Sequence, residues 1–498
     1  MSQHAKRNIS MMMDLYELTM ANGYFADGHE AQWAAFDVYY RKNPDGGGFA
    51  IFAGLEQIID YIEGMHFGEH DIAYLREMGK FGDPFLDYLK GFRFKGDIHA
   101  FPEGTIMYPN EPILTVKAPL IDAQLVETAI LAQINHQSLI ATKTRRIVSA
   151  AQGRPVFDFG ARRAHNVDAA VYGARAAYIG GATGTSNVMA GKQFGIPVSG
   201  TMAHSWVMFH GDEYQAFRSY AEHYPDEAVF LVDTYDVMRS GVPNAIRVAK
   251  EVLAPMGKRL KGVRLDSGDL AYLSKRARAA LDEAGLEDCC IFASNSLDEN
   301  TIASLIAQGS RIDGFGVGER LITSKSDPVF GAVYKLVAVH ENDRFVPRIK
   351  ISEAAGKTTN PGLKKVHRIY CEQGHAIADL ITGADETVDL NRAYQYVDPE
   401  KPWQDRCFTN CSTKELQKLI IKDGRRVQPK RSLQEIRCHV EQQLEHETWK
   451  EEIRFDNPHV HYLDMSPAYN EMKTRMLREA SMLDRVGSGV REFAERAG

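Results

Sequence analysis

The stretch from Ala228 to Asp269, AVFLVDTYDVMRSGVPNAIRVAKEVLAPMGKRLKGVRLDSGD, decides how the chain is read. It opens on an apolar run, AVFLV, that breaks off at Asp233. A helical stretch follows, with Pro243 near its start and Gly257 at its end, the usual order of helix start and stop signals. A second short apolar run climbs to Arg264, Asp266, Ser267 and Asp269. Apolar run, helix, apolar run is the βαβ unit of a parallel sheet. The runs are continuously apolar rather than alternating, as strands covered on both faces should be.

The rhythm extends in both directions. Upstream lie PVFDFG (155–160), the helical VDAAVYGARAAYIG (167–180), the run IPVSGTMAH (196–204) and the helical EYQAFRSYAEHY (213–224). Downstream come a helix over 270–285, the strand CCIFASNS (289–296), a helix over 297–309 with Asp298 as its N-cap, and RIDGFGVG (311–318). These units predict an α/β fold, an irregular TIM-like barrel over residues 143–344, with a doubly wound sheet as the competing arrangement. A long amphipathic helix over 125–151 leads into it. Residues 1–142 mix helices with strands such as AAFDVYYR, and residues 345–498 are more polar and less regular. Together these flanks are expected to form a second α/β (α+β) domain.

In this reading the polar residues gather at one place. Arg162, His204, Asp233, Arg264, Asp266, Asn295 and Gly316 all fall at or just past the C-terminal end of a strand, where α/β barrels carry their active sites. Capping of the next helix explains one charged strand tip, but not seven on one rim. GFGVGERLITS (314–324) offers glycine backbone N–H groups to an anion. It is neither a Walker A loop nor a complete G-x-G-x-x-G fingerprint, and alone it fits a tight turn equally well. Arg264 beside Asp266 suits a ligand with anionic and hydroxyl parts, such as a ribose phosphate; the plain alternative is a local ion pair of little worth. His204 reads either as a hydrogen-bonded packing residue or as a catalyst.

Composition excludes other classes. The chain has 498 residues, 44% hydrophobic and 25% charged, with net charge −7. It has no long basic run, so nucleic acid is not an expected partner. No stretch approaches the roughly 20 apolar residues that span a bilayer, and the N-terminal segment lacks a signal-peptide core. Six cysteines in so long a chain make no disulfide framework. A cytoplasmic setting is expected. The spacing of Cys407, Cys411 and Cys438 suits packed thiols better than zinc.

Eight segments then form a pattern in order: MDLYELTMANGYF, YYRKNP, FDFGARRA, TGTSNVMAG, GTMAHSWV, LVDTYD, VRLDSGDL and FGVGERLITSKSDPVFGAVYKL. Over most of residues 10 to 340 the chain closely resembles the nicotinate phosphoribosyltransferases. The resemblance implies a type II phosphoribosyltransferase fold. It also implies a reaction: nicotinate and phosphoribosyl pyrophosphate give nicotinate mononucleotide and pyrophosphate, coupled to ATP hydrolysis, in NAD salvage. On the matching motifs, His204 is the histidine that ATP phosphorylates. Arg264 lies against nicotinate and Asp266 against the ribose hydroxyls. Phe159 and Tyr16 stack on the pyridine ring, while Arg162, Thr201 and Ser205 line the base pocket. Gly316, Gly318 and Thr323 hold the phosphate, Arg41 reaches pyrophosphate oxygens, and Asp233 lies near Mg²⁺. Glu319, which replaces a threonine of some relatives, stays outside this set. Because Tyr16 and Arg41 lie far from the barrel in sequence, a homodimer with shared active sites is expected.

Two rivals stand beside this reading. A nicotinamide enzyme needs a carboxylate to accept the amide N–H, and GGATGTSN (180–187) has none, while quinolinate would call for a denser basic pocket. A catalytically inactive relative acting as a binding protein is opposed by the presence of His204, Arg264 and Asp266.

Overall fold

The computed structural model describes residues 7–351, 358–388, 394–398, 403 and 405–480. The chain divides into two compact units, residues 1–138 with 329–498, and residues 139–328.

The second unit is built on a six-stranded sheet. Its strands are β1 (Val156–Asp158), β2 (Gly184–Thr185), β3 (Val229–Leu231), β4 (Gly262–Leu265), β5 (Cys290–Ala293) and β6 (Gly314–Val317). The spatial order is β2-β1-β6-β5-β4-β3, and every ladder in it is parallel. All C-terminal strand ends therefore share one edge. β3 and β6 are buried along their whole length, as their unbroken apolar runs require. The helices between strands are α1 (Val167–Ile179), α2 (Val188–Phe194), α3 (His204–His210), α4 (Glu213–His223), α5 (Val242–Val248), α6 (Leu270–Glu283), α7 (Glu299–Ala307) and the single turn α8 (Glu319–Ile322).

The second strand is not where the sequence suggested. Residues 196–203 form no strand; only a single bridge joins Val198 to Thr185. The strand is Gly184–Thr185, inside a glycine-rich stretch with little apolar signal. His204 consequently opens helix α3 instead of closing a strand. Gly316 likewise lies within β6, not past its end.

The first unit carries two larger sheets. In the seven-stranded one, Trp33–Tyr39 pairs on one side with Leu114–Pro119 and on the other with Val333–Glu341, both antiparallel. Lys418–Lys422 pairs with Asp97–Ala100 in the same sheet. Early and late segments of the chain thus share one set of ladders. The six-stranded sheet comes entirely from residues beyond 363, with Leu463–Met465 and Ala376–Gly383 at its centre and Lys364–Tyr370 beside the latter. The long helix foreseen from sequence runs over Glu127–Ala150. Among the described residues, no helix is long and apolar enough to cross a membrane.

Candidate active site

The carboxylates of VRLDSGD have separate tasks. Asp269 is the N-cap of α6, accepting from Tyr272 N–H at 3.0 Å. It is the ordinary helix cap that any charged strand tip is expected to be. Asp266 caps nothing. Its Oδ1 accepts from Arg264 Nη2 at 3.0 Å and from the Ser294 hydroxyl, and its Oδ2 lies 3.8 Å from His204 Nε2.

Arg264 is the hub. It sits in β4 between β3 and β5, paired with Leu231 and Phe292. Nε donates to Ser294 Oγ at 2.8 Å and Nη1 to Thr201 Oγ1 at 2.9 Å, and its guanidinium lies 5.5 Å from the centroid of the Phe159 ring. A guanidinium has five N–H groups, so one on Nη1 and one on Nη2 remain for a ligand.

Asp233 follows β3 and ties the tip of β4 to it. Its Oδ2 accepts from Asp266 N–H at 3.0 Å and Ser267 Oγ at 2.6 Å. Among the described residues its buried Oδ1 has no hydrogen-bond partner, and it faces His204 Nε2 at 3.9 Å. The neighbouring Thr234 hydroxyl meets His204 Nδ1 at 3.1 Å. The His204 side chain remains 41% exposed, open to a reactant.

Phe159 follows β1, with its backbone N–H bonded to Val317 O at 2.8 Å. A Cβ on Gly316 would collide with its ring, so this glycine is required by the close approach of the aromatic. Gly318 leads into α8, where a Cβ would press on Phe159 O. Thr323 donates its hydroxyl back to Glu319 O at 2.8 Å. Glu319 turns to Lys325 at 2.6 Å, whose cation holds its carboxyl below the ordinary range. Beneath Phe159, Asp158 accepts from Gly160 N–H and Thr185 Oγ1, both at 2.8 Å, while burial raises its pKa.

The structure therefore gathers Phe159, Thr201, His204, Asp233, Arg264 and Asp266 into one connected cluster, with Gly316 against Phe159. Arg162 and Ser205 are exposed beside it, in the turn Ala161–Arg163 and at the start of α3. Tyr16 and Arg41 belong to the first unit. Tyr16 is 43% exposed on the helix Leu15–Ala26, and Arg41 lies 5.8 Å from the centroid of the Tyr39 ring. Sequence reasoning passed over Ser294 and Thr234, and named Ser267 at the strand tip without giving it a role. Each stands beside a charged rim position, but serine and threonine are too common at strand ends to be singled out. All six cysteines are free, and among the described residues no group of three or more His, Cys, Asp or Glu side chains is placed to hold a metal ion.

Comparison with known proteins assigns the chain. Residues 11–135 match the nicotinate phosphoribosyltransferase N-terminal domain, 155–395 the nicotinate phosphoribosyltransferase family and 363–473 the C-terminal domain. The nicotinate phosphoribosyltransferase of Bacillus subtilis is 46% identical over 462 residues, covering 92% of this chain and 93% of that protein. The crystal structure of human nicotinic acid phosphoribosyltransferase superposes with a TM-score of 0.82 at 28% identity, covering 94% of this chain and all of that one. Nicotinate-nucleotide pyrophosphorylase from Pyrococcus furiosus follows at 0.68 and 26% identity, covering 89% of this chain and 97% of that one. With the relatives spanned nearly end to end, the chain belongs to the nicotinate phosphoribosyltransferase family.

Proposed function

We propose that this chain joins nicotinate to the ribose of phosphoribosyl pyrophosphate, releasing pyrophosphate and forming nicotinate mononucleotide for NAD salvage, and that ATP drives the step through a phosphorylated His204. The observation that carries the reading is the open fork of Arg264, aimed beside the face of Phe159 and braced against Asp266. A planar ring bearing a carboxylate meets both needs. Its ring stacks on Phe159, and the carboxylate takes the two remaining N–H groups as charge-assisted bonds.

The chemistry follows from charge. As the bond from ribose C1 to pyrophosphate breaks, positive charge grows on the sugar and negative charge on the leaving group. The ring nitrogen of nicotinate supplies its lone pair to C1, so no strong base is needed. Asp266 Oδ2 accepts from ribose hydroxyls and faces the growing positive charge. Arg41 is read as a cation for pyrophosphate, and Gly316, Gly318 and Thr323 as the phosphate end of the site.

Mg²⁺ binds through one or two carboxylates plus substrate phosphates. Asp233 Oδ1, buried and without a hydrogen-bond partner among the described residues, fits that demand. A magnesium ion held there would stabilise charge on the leaving pyrophosphate.

Thr234 engages His204 Nδ1, so Nε2 is the nitrogen left to take the γ-phosphoryl group, with ADP as leaving group. Phosphorylation adds about −1.5 to −2 charges. Beside Asp233 and Asp266, that charge favours a rearranged rim, and hydrolysis to phosphate restores the first state. The working form is read as a cytoplasmic homodimer in which Tyr16 and Arg41 serve the rim of the other copy.

Release of pyrophosphate, measured with nicotinate, nicotinamide and quinolinate, each with and without ATP, tests the reading. Nicotinate should be the preferred base and ATP should stimulate it. Turnover of nicotinamide equal to nicotinate would overturn the assignment of Arg264 to a carboxylate.

A further inference from the structure

Ser294 stands directly after β5 and is 3% exposed. Its N–H donates to Leu265 O at 3.0 Å, which fixes it beside the tip of β4. Its hydroxyl lies between two charges, accepting Arg264 Nε–H at 2.8 Å and donating to Asp266 Oδ1. The next two residues, Asn295 and Ser296, have φ of 84° and 50°. Consecutive left-handed residues other than glycine are costly, and such strain collects at functional sites. Here it turns the chain sharply away just past the hydroxyl.

We infer that Ser294 is a positioning residue, a spacer that prevents Arg264 and Asp266 from closing into a bidentate ion pair. The inference rests on the phosphoribosyl-transfer reading above. Arginine and carboxylate prefer to meet through two parallel N–H···O bonds. With Ser294 on Nε, Asp266 reaches only Nη2, through Oδ1 at 3.0 Å. Two groups stay available as a result. Asp266 keeps Oδ2 for the ribose, and Arg264 keeps one N–H on each terminal nitrogen for the base carboxylate. Without the hydroxyl, Asp266 can rotate to take Nε and Nη2 with both oxygens. That motion removes Oδ2 from the sugar and turns the fork away from the base. One serine thus serves both substrates without touching either.

The test is steady-state kinetics on the full-length enzyme carrying Ser294→Ala, Ser294→Cys or Ser294→Thr, with thermal unfolding in parallel. Cysteine keeps nearly the same volume but is a weak hydrogen-bonding group, whereas threonine keeps the hydroxyl. The alanine and cysteine variants should raise KM for nicotinate and for phosphoribosyl pyrophosphate, each by about tenfold to a hundredfold. Their preference for nicotinate over nicotinamide should narrow, and their unfolding midpoints should stay near that of the unmodified enzyme. Ser294→Thr should retain both KM values. Both KM values left unchanged, or a cysteine variant that behaves like serine, overturns the inference. An unmodified enzyme that fails to turn over nicotinate overturns the functional reading instead.

Discussion

The rim of the second unit and the interior of the first contain clusters made of the same residue types, an arginine, carboxylates and a histidine, yet they are wired oppositely. In the interior, Arg368 closes on Asp379 through two bonds, Nε to Oδ1 at 2.9 Å and Nη2 to Oδ2 at 2.7 Å. His461 meets Glu452 at 2.9 Å through Nδ1, faces Asp379 at 3.6 Å through Nε2, and stacks on Tyr108 with ring centroids 3.6 Å apart. Burial opposes the histidine's charge, but Asp379 and Glu452 hold its pKa above the usual range. The pKa of Glu111 is raised as well, since burial and the nearby Asp379 keep it protonated and therefore neutral. Arg368 and His461 then face Asp379 and Glu452, two against two. At the rim Arg264 makes only one bond to its carboxylate, Asp233 Oδ1 has no hydrogen-bond partner among the described residues, and His204 is open to solvent. The closed fork ties two neighbouring strands of one sheet, whereas the open fork waits for a ligand.

Arg368→Met should break that comparison most visibly. Removing one partner of a buried pair leaves Asp379 with only His461 against its charge, at a cost of about 3–5 kcal/mol. Urea unfolding would measure it, with kcat per folded molecule unchanged. Loss of kcat with little loss of stability would mean the interior cluster is not merely structural. Asp266→Asn should do the reverse. It keeps the shape and removes the charge facing the sugar, so kcat should fall by about 10²–10³. Stability should hold or rise, because the variant relieves a carboxylate pair around His204.

His204→Ala sharpens the division within the rim itself. Incubation with γ-labelled ATP should give an acid-labile phosphate on the unmodified enzyme and none on the variant. Slow phosphoribosyl transfer should survive, since the sugar chemistry does not need the imidazole. Undiminished labelling would place the phosphoryl acceptor elsewhere. A smaller effect is expected from the base alone. Nicotinate should exceed nicotinamide by at least about tenfold in kcat/KM, because a carboxylate on the Arg264 fork gains a charge-assisted bond worth roughly 1.5–3 kcal/mol.

The two clusters also differed in how far the sequence revealed them. Arg264 and Asp266 are two residues apart at the end of an apolar run, so charge where a strand should be buried was visible at once. His204 and Asp233 were visible for the same reason, although His204 proved to begin a helix. β2 was not visible, because two residues of a glycine-rich stretch carry no periodicity and only pairing with β1 makes them a strand. The interior cluster was invisible altogether. Arg368, Asp379, Glu452 and His461 are scattered over nearly a hundred positions that read as polar and irregular. Each polar residue there looked solvated, and only the antiparallel pairing of Arg368 with Asp379 across two strands shows them buried together. Ser294 was hidden differently: its place was legible, but its hydroxyl acquires meaning only from the two charges it separates.

Glu17 fits neither pattern and gives the finest test. It is buried on the helix Leu15–Ala26, next to Tyr16. Oε1 accepts from Asp14 N–H at 3.0 Å and from the Thr128 hydroxyl, while Oε2 is buried with no hydrogen-bond partner among the described residues. Among the described residues no cation is paired with it. Burial therefore pushes its pKa up to about 7, against the pull of the hydrogen bonds from Thr128 and Asp14. In the unfolded chain the group titrates near 4.3. Below that pH both states hold the proton. Between it and about 7 only the folded state does, so stability must fall as pH rises through this window, and the loss is complete above it. Glu17→Gln mimics the protonated form and should remove this part of the slope. Urea unfolding at pH 5 and pH 8 should show the glutamine variant gaining about 1–3 kcal/mol on the unmodified protein between the two. Parallel curves for the two proteins would mean that Oε2 finds a partner in solution, and that the first helix holds an ionised carboxylate after all.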